Sequence, residues 1–198
     1  MDNYIELLGR QSLPKFNSEQ RTYLEARDFF IFDMGAGTTV AQLLEADFPF
    51  FCQVSGQDKI KSITGEVAFV PGLLFPESNR KTGEEHANMI SQFNRRLQTE
   101  VPNLTAMVAK PVDYAVATYK YLLKTGTWLF ENGIYVRALN RQNFKLDIVV
   151  GNCQDSMRGL CVEPISQETA RPDVYIFPFI FPNRTVAPDY ADNWFPSR

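Results

Sequence analysis

The sequence predicts an α+β fold: one domain over residues 1–170 with a mixed or largely antiparallel sheet, two to three helices packed on it, and an extended C-terminal arm over residues 171–198. Three observations predict it. Two segments, about 83–100 and 112–124, step apolar residues at helical spacing. A series of short alternating runs between 127 and 150, punctuated by turn residues, reads as antiparallel strands. The last 28 residues combine five prolines with repeated aromatic side chains, which excludes a regular helix there and asks for cover.

The elements follow in order. In "NSEQRTYLEARDFF", Asn17 or Ser18 can cap a helix whose first turn holds Glu19. "FFIFDM" reads as a strand, and "FPFFCQV" and "GEVAFV" as two more. "TVAQLLEAD" fits helix or strand, because a short run does not reveal its period. "GEEHANMISQFNRRLQTEV" is the clearest helix, with Ala87, Ile90, Phe93 or Asn94, and Leu97 on one face and Pro102 closing it. "LTAMVAK" reads as a buried strand. "PVDYAVATYKYLLKTG" is helical, with Pro111 in its first turn and Gly126 as its C-terminal cap.

"TWLFENGIYVRAL" contains Asn132-Gly133, the pair preferred in a two-residue type I′ turn, where both positions take positive φ. A hairpin over 127–139 is therefore expected, continuing through "FKLDIVV" into a meander to residue 150. "RGLCVEPI" offers a fourth strand. "DVYIFPFIF" offers an edge strand only, since proline cannot donate to a ladder.

Composition narrows the function. The 198 residues carry a net charge of −3 with scattered basic residues, so binding to duplex nucleic acid is not the expected role. There is no run of about 18 apolar residues to cross a membrane, and the acidic N-terminus lacks a signal pattern, so a cytoplasmic location is expected. Three cysteines, Cys52, Cys153 and Cys161, are odd in number and far apart, which predicts reduced thiols. Without a CxxC clip they do not suggest a zinc site with His86. That lone histidine is read as decoration on an exposed helical face, and no cofactor is expected.

One stretch carries a candidate enzyme reading. "FFIFDMGAGTTVAQLLEAD" sets an apolar strand, an acidic residue and two glycines before a candidate helix. It resembles the first motif of S-adenosylmethionine-dependent methyltransferases. That resemblance implies a parallel sheet and places Asp33, Gly35 and Gly37 against the cofactor. Thr39 stands where the pattern has a third glycine, and no acidic residue ends the second strand. Read without the resemblance, the glycines serve a tight reversal of the chain.

A third reading sets Arg137, Arg141 and Lys145, with Tyr135, on the meander as a single-strand nucleic-acid surface. The leading expectation rests on the arm. Tyr175, Phe177, Phe179, Phe181, Tyr190, Trp194 and Phe195 are spaced as anchors along an extended segment, which either wraps its own domain or docks on a neighbour. The second option makes the chain a non-enzymatic assembly protein that binds itself or partner proteins, in the manner of a virion, phage-tail or injection-machine component.

Overall fold

The computed structural model describes residues 13–52, 59–72, 75–139, 146–152 and 159–182, with the side chains of 50–52 excepted. The α+β class holds. Helices α1 (Ser18–Glu25), α2 (Val40–Glu45), α3 (Gly83–Glu100) and α4 (Pro111–Thr125) accompany two sheets. The strands are β1 (Phe30–Asp33), β2 (Phe50–Cys52), β3 (Glu66–Phe69), β4 (Leu104–Met107), β5 (Tyr135–Ala138), β6 (Leu146–Asn152), β7 (Leu160–Ser166), β8 (Val174–Tyr175) and β9 (Phe179–Pro182). The first sheet is antiparallel throughout, in the order β1-β3-β9-β4. The second, β2-β7-β6-β5-β8, is mixed, because its two outer pairings, β2 with β7 and β5 with β8, are parallel.

Local signals set the helix starts. Asn17 and Gln20 exchange side-chain and backbone hydrogen bonds at the start of α1, and Thr82 and Glu85 do the same for α3. Thr39 and Gln42 form a third such box, which settles the undecided "TVAQLLEAD" as helix. Gly126 ends α4 at φ +74°, the left-handed cap its sequence predicts.

The first eight residues of α4, Pro111–Thr118, are all buried, and the helix meets both sheets. Tyr121 lies 5.7 Å from Phe30 and 6.3 Å from Phe69, ring centre to ring centre, in the first sheet. On its other side α4 packs along β6. The centre of the molecule is a continuous set of aromatic rings, Phe69, Tyr114, Phe130, Phe177, Phe179 and Phe181, at tilted or edge-to-face angles except for the stacked pair Phe69 and Phe179. The excess of Phe over Trp and Tyr in the sequence is thus used in a dry core, where a ring without a polar tip needs no hydrogen-bond partner.

Three expectations are corrected. Residues 127–131 form no strand, and the hairpin over 127–139 is absent. Gly133 alone takes positive φ, so the turn is not type I′. Leu129 and Phe130 turn into the core instead, and the place beside β5 belongs to β8. Second, "DVYIFPFIF" is an edge strand only in its first part. β8 is the outer strand of the second sheet, whereas β9 lies between β3 and β4 in the first. Pro178 falls in the crossing between the sheets and Pro182 ends the ladder opposite Leu104, so neither occupies the interior of a strand. The first part of the arm is therefore integral to the domain.

The third correction concerns Cys161, which is disulfide-bonded rather than a free thiol. Distance along the chain misleads here, because β7 runs between β2, which ends at Cys52, and β6, which ends one residue before Cys153. Its partner lies outside the described side chains. Among the described residues no helix is long and apolar enough to cross a membrane.

Candidate functional site

The densest polar constellation among the described residues is buried where α3 begins against the second sheet. It grows from the buried residues of α3: Gly83, His86, Ala87, Ile90, Ser91, Asn94 and Leu97. The spacing is the expected one, but the set includes three polar side chains, His86, Ser91 and Asn94. Asn94 closes the outer edge of β4: its amide accepts from Ala106 N at 2.6 Å and donates to Ala106 O at 2.8 Å. An amide side chain thus does what another strand would do and removes a free edge.

His86 is fully buried, not exposed. Its Nδ1 accepts from Arg137 Nε at 3.0 Å, and its Nε2 lies 2.7 Å from Ser78 O. A guanidinium has no acceptor, so the ring must present a lone pair at Nδ1 and carry its proton at Nε2. Burial, first of all, holds His86 down at about 4, and the Arg137 charge pushes the same way against the Ser78 carbonyl. Arg137, also fully buried, donates from Nη1 to Asp147 Oδ2 at 2.5 Å and from Nη2 to Thr169 O at 3.1 Å. Gln167 donates to the second oxygen of Asp147 at 3.2 Å. Burial pushes the Asp147 carboxyl up from its ordinary value, and Arg137 and Gln167 oppose it.

Backbone proximity makes the cluster possible. Gly83 N donates to Gln167 O at 2.8 Å, and a methyl group on Gly83 would stand 2.8 Å from Asp147 Oδ2. Only glycine lets α3 start this close to the carboxylate. Every nitrogen and oxygen that could do chemistry here is already engaged by the protein's own groups. Both ring nitrogens of His86 are occupied, so it is not placed to join the cysteines around a metal.

The glycine turn is a different object. β1 is an edge strand of an antiparallel sheet, so the parallel sheet implied by the methyltransferase resemblance is not the arrangement found. Asp33 Oδ1 accepts from Gly35 N at 2.8 Å, closing a local turn. Lys120 Nζ donates to Met34 O, and a Cβ on Gly35 would meet that ammonium at 2.6 Å. Gly37 lies close over Ser62 O. The start of α4 beside this turn is filled internally: Asp113 accepts from Ile63 N at 2.7 Å and from Lys110 N at 3.0 Å. Gly35 has φ +69°, so Gly35→Ala is expected to cost about 1–2 kcal/mol in urea unfolding, from left-handed strain and the displaced lysine. A cost below a few tenths of a kcal/mol would show that the turn does not need its glycine.

The remaining predicted residues divide clearly. Phe177, Phe179 and Phe181 are at most 1% exposed and face the domain's own core, while Tyr175 is half-buried. Tyr190, Trp194 and Phe195 lie outside the described residues, as do Arg141 and Lys145. Arg137 points inward, which removes it from any nucleic-acid surface. His86, Asp147 and Gln167 were not legible as a group; the available signal was one aspartate inside the apolar strand "LDIVV". Compared with known proteins, the chain matches no family model, no curated protein and no solved structure.

Proposed function

We propose that the chain is a non-enzymatic assembly protein that binds copies of itself or partner proteins, with the anchors Tyr190, Trp194 and Phe195 of the distal arm docking on a neighbour. The observation that carries this reading is the rooting of the arm. Residues 174–182 serve first one sheet and then the other, so residue 183 follows a strand held on both sides by β3 and β4. A docking segment works best from a fixed base, because less freedom is lost when it binds. Leu44 on α2 and Leu123 on α4, 49% and 69% exposed on helices in contact with each other, give apolar surface that such anchors can cover.

Light scattering after size exclusion tests the proposal, with the cut placed after Pro182 rather than before β8. All described strands and helices end by that residue, so the shortened chain is expected to keep its melting temperature. The full chain is expected to run as an oligomer and the shortened chain as a monomer. Leu123→Glu should weaken the oligomer without unfolding the protomer. A full-length chain that is monomeric at every concentration tried, or an oligomer untouched by the cut, overturns the reading.

A further inference from the structure

We infer that His86 is an acid-operated latch at the root of the C-terminal segment: protonation of its ring releases the 75–80 turn from residues 171–176, while the two sheets remain paired. The geometry sets up the conflict. Nδ1 accepts from Arg137 Nε, and Nε2 donates to Ser78 O. A second ring proton would set an N–H against the N–H of a side chain that does not deprotonate. Arg137 cannot easily withdraw, since Asp147 and Thr169 O hold its other nitrogens. The ring must then move, and Ser78 moves with it.

Ser78 is the point where the turn meets the arm. Its hydroxyl accepts from Ile176 N at 3.1 Å and donates to Phe75 O at 2.6 Å. Two further hydrogen bonds stitch the same segments: Arg80 N to Arg171 O at 2.9 Å and Asn79 Nδ2 to Pro172 O at 3.2 Å. The turn is a single stretch of 3-10 helix, Pro76–Ser78, with poorer hydrogen-bond geometry than the sheets beside it. It is the weakest element around the ring and yields first.

The charges around the ring agree with this. β5 contributes Arg137, and β6 contributes Asp147, which faces Arg137. Glu85 and Lys81 act from the start of α3, Glu85 being engaged with Thr82. The segment after β7 presents the Gln167 amide and the Thr169 carbonyl, and the turn presents the Ser78 carbonyl. Beyond them Arg171 is paired with Asp173 and Glu163. No carboxylate receives the ring proton directly.

The sign follows from linkage. The closed ring titrates at about 4 and the released ring at the ordinary 6.5. Closure is therefore fully favoured above 6.5 and weakens as pH falls towards 4. The population of the open form is expected to rise about twentyfold between pH 7 and pH 5.

Native-state amide exchange followed by NMR tests the latch. After correction for intrinsic rates, the protection of Ile176 N–H is expected to fall about twentyfold from pH 7 to pH 5. It should stay below the protection of Val150 throughout and depend little on sub-denaturing urea, the mark of a local opening. In His86→Gln, whose amide can accept and donate without titrating, the acid-induced loss at Ile176 should disappear. Should that variant not fold, the ring nitrogen shifts of His86 in the unaltered protein decide: they must show a neutral ring protonated at Nε2 at pH 7 that takes up its second proton well below 6.5. Protection that does not change with pH, a urea dependence equal to that of Val150, or a ring that titrates near 6.5 in the closed protein overturns the inference. The measurement is made on the protomer, so it stands or falls separately from the assembly reading.

Discussion

A chain cut after residue 170 is expected not to fold, whereas one cut after Pro182 is expected to fold normally. Val174, Ile176, Phe177, Phe179, Ile180 and Phe181 are each at most 1% exposed. Burying a large apolar side chain contributes about 1.5–3 kcal/mol, so the six together supply roughly 9–18 kcal/mol, as much as the whole net stability of an ordinary domain. The cut also takes away β9, leaving β3 and β4 with backbone groups facing an empty lane. A single-residue version is Phe179→Ala. That ring meets Phe69 at 5.6 Å and Tyr114 at 5.1 Å, and its loss should cost about 3–5 kcal/mol. Urea unfolding by circular dichroism reads both. A 1–170 fragment with native ellipticity and a cooperative transition would show that β9 is dispensable.

The contrast between the two cuts marks what could and could not be read from the residues. That "DVYIFPFIF" needs cover follows from its composition alone. Where it finds cover depends on two prolines, and the rule that excludes proline from a central strand applies only where the missing N–H is needed. Pro178 sits outside both strands and Pro182 at a ladder end, so the segment crosses from one sheet to the centre of the other. In the same way, Asn132-Gly133 is a strong local signal for a hairpin. It is overruled because Leu129 and Phe130 find more burial in the core than a strand there would give them, and because β8 pairs with β5 from far along the chain. Helix starts were the most legible features, being decided within four residues. Even there Thr39 and Gln42 form a capping box inside a stretch whose glycines attract a cofactor reading.

The polar cluster was hidden for a related reason. In β6 the alternation of the sequence is correct: Ile148 and Val150 share one face and Asp147 lies on the other. An outward face is ordinarily wet. Here it is covered by the start of α3 and the segment after β7, so Asp147 is 2% exposed and Arg137 beside it is fully buried. Nothing in the strand announces this cover. Gly83 is its one local trace, a glycine at the first position of a helix where other residues propagate helix better, kept small by the carboxylate it approaches.

Arg137→Met is expected to cost about 3–5 kcal/mol at pH 7, because it leaves Asp147 in the interior without its cation. It also strands Thr169 O and the Nδ1 of His86, each of which loses a donor. The loss should therefore exceed that of a surface ion pair, which is commonly worth about 0–1 kcal/mol. Adding Asp147→Leu to Arg137→Met should recover part of the loss, since the second change removes the uncompensated charge and leaves only the unpaired acceptors. Acid should affect the single variant less than the unaltered protein. Arg137 is one of the groups that hold the His86 proton off, so without it the folded ring takes up a proton more readily. Its titration in the folded state moves back towards 6.5, and less stability is lost as pH falls from 6.5 to 4. The deficit measured in urea should thus be largest at neutral pH and narrower at pH 5. A deficit below about 1 kcal/mol at pH 7, or one that widens in acid, would mean that the guanidinium neither compensates Asp147 nor keeps His86 neutral.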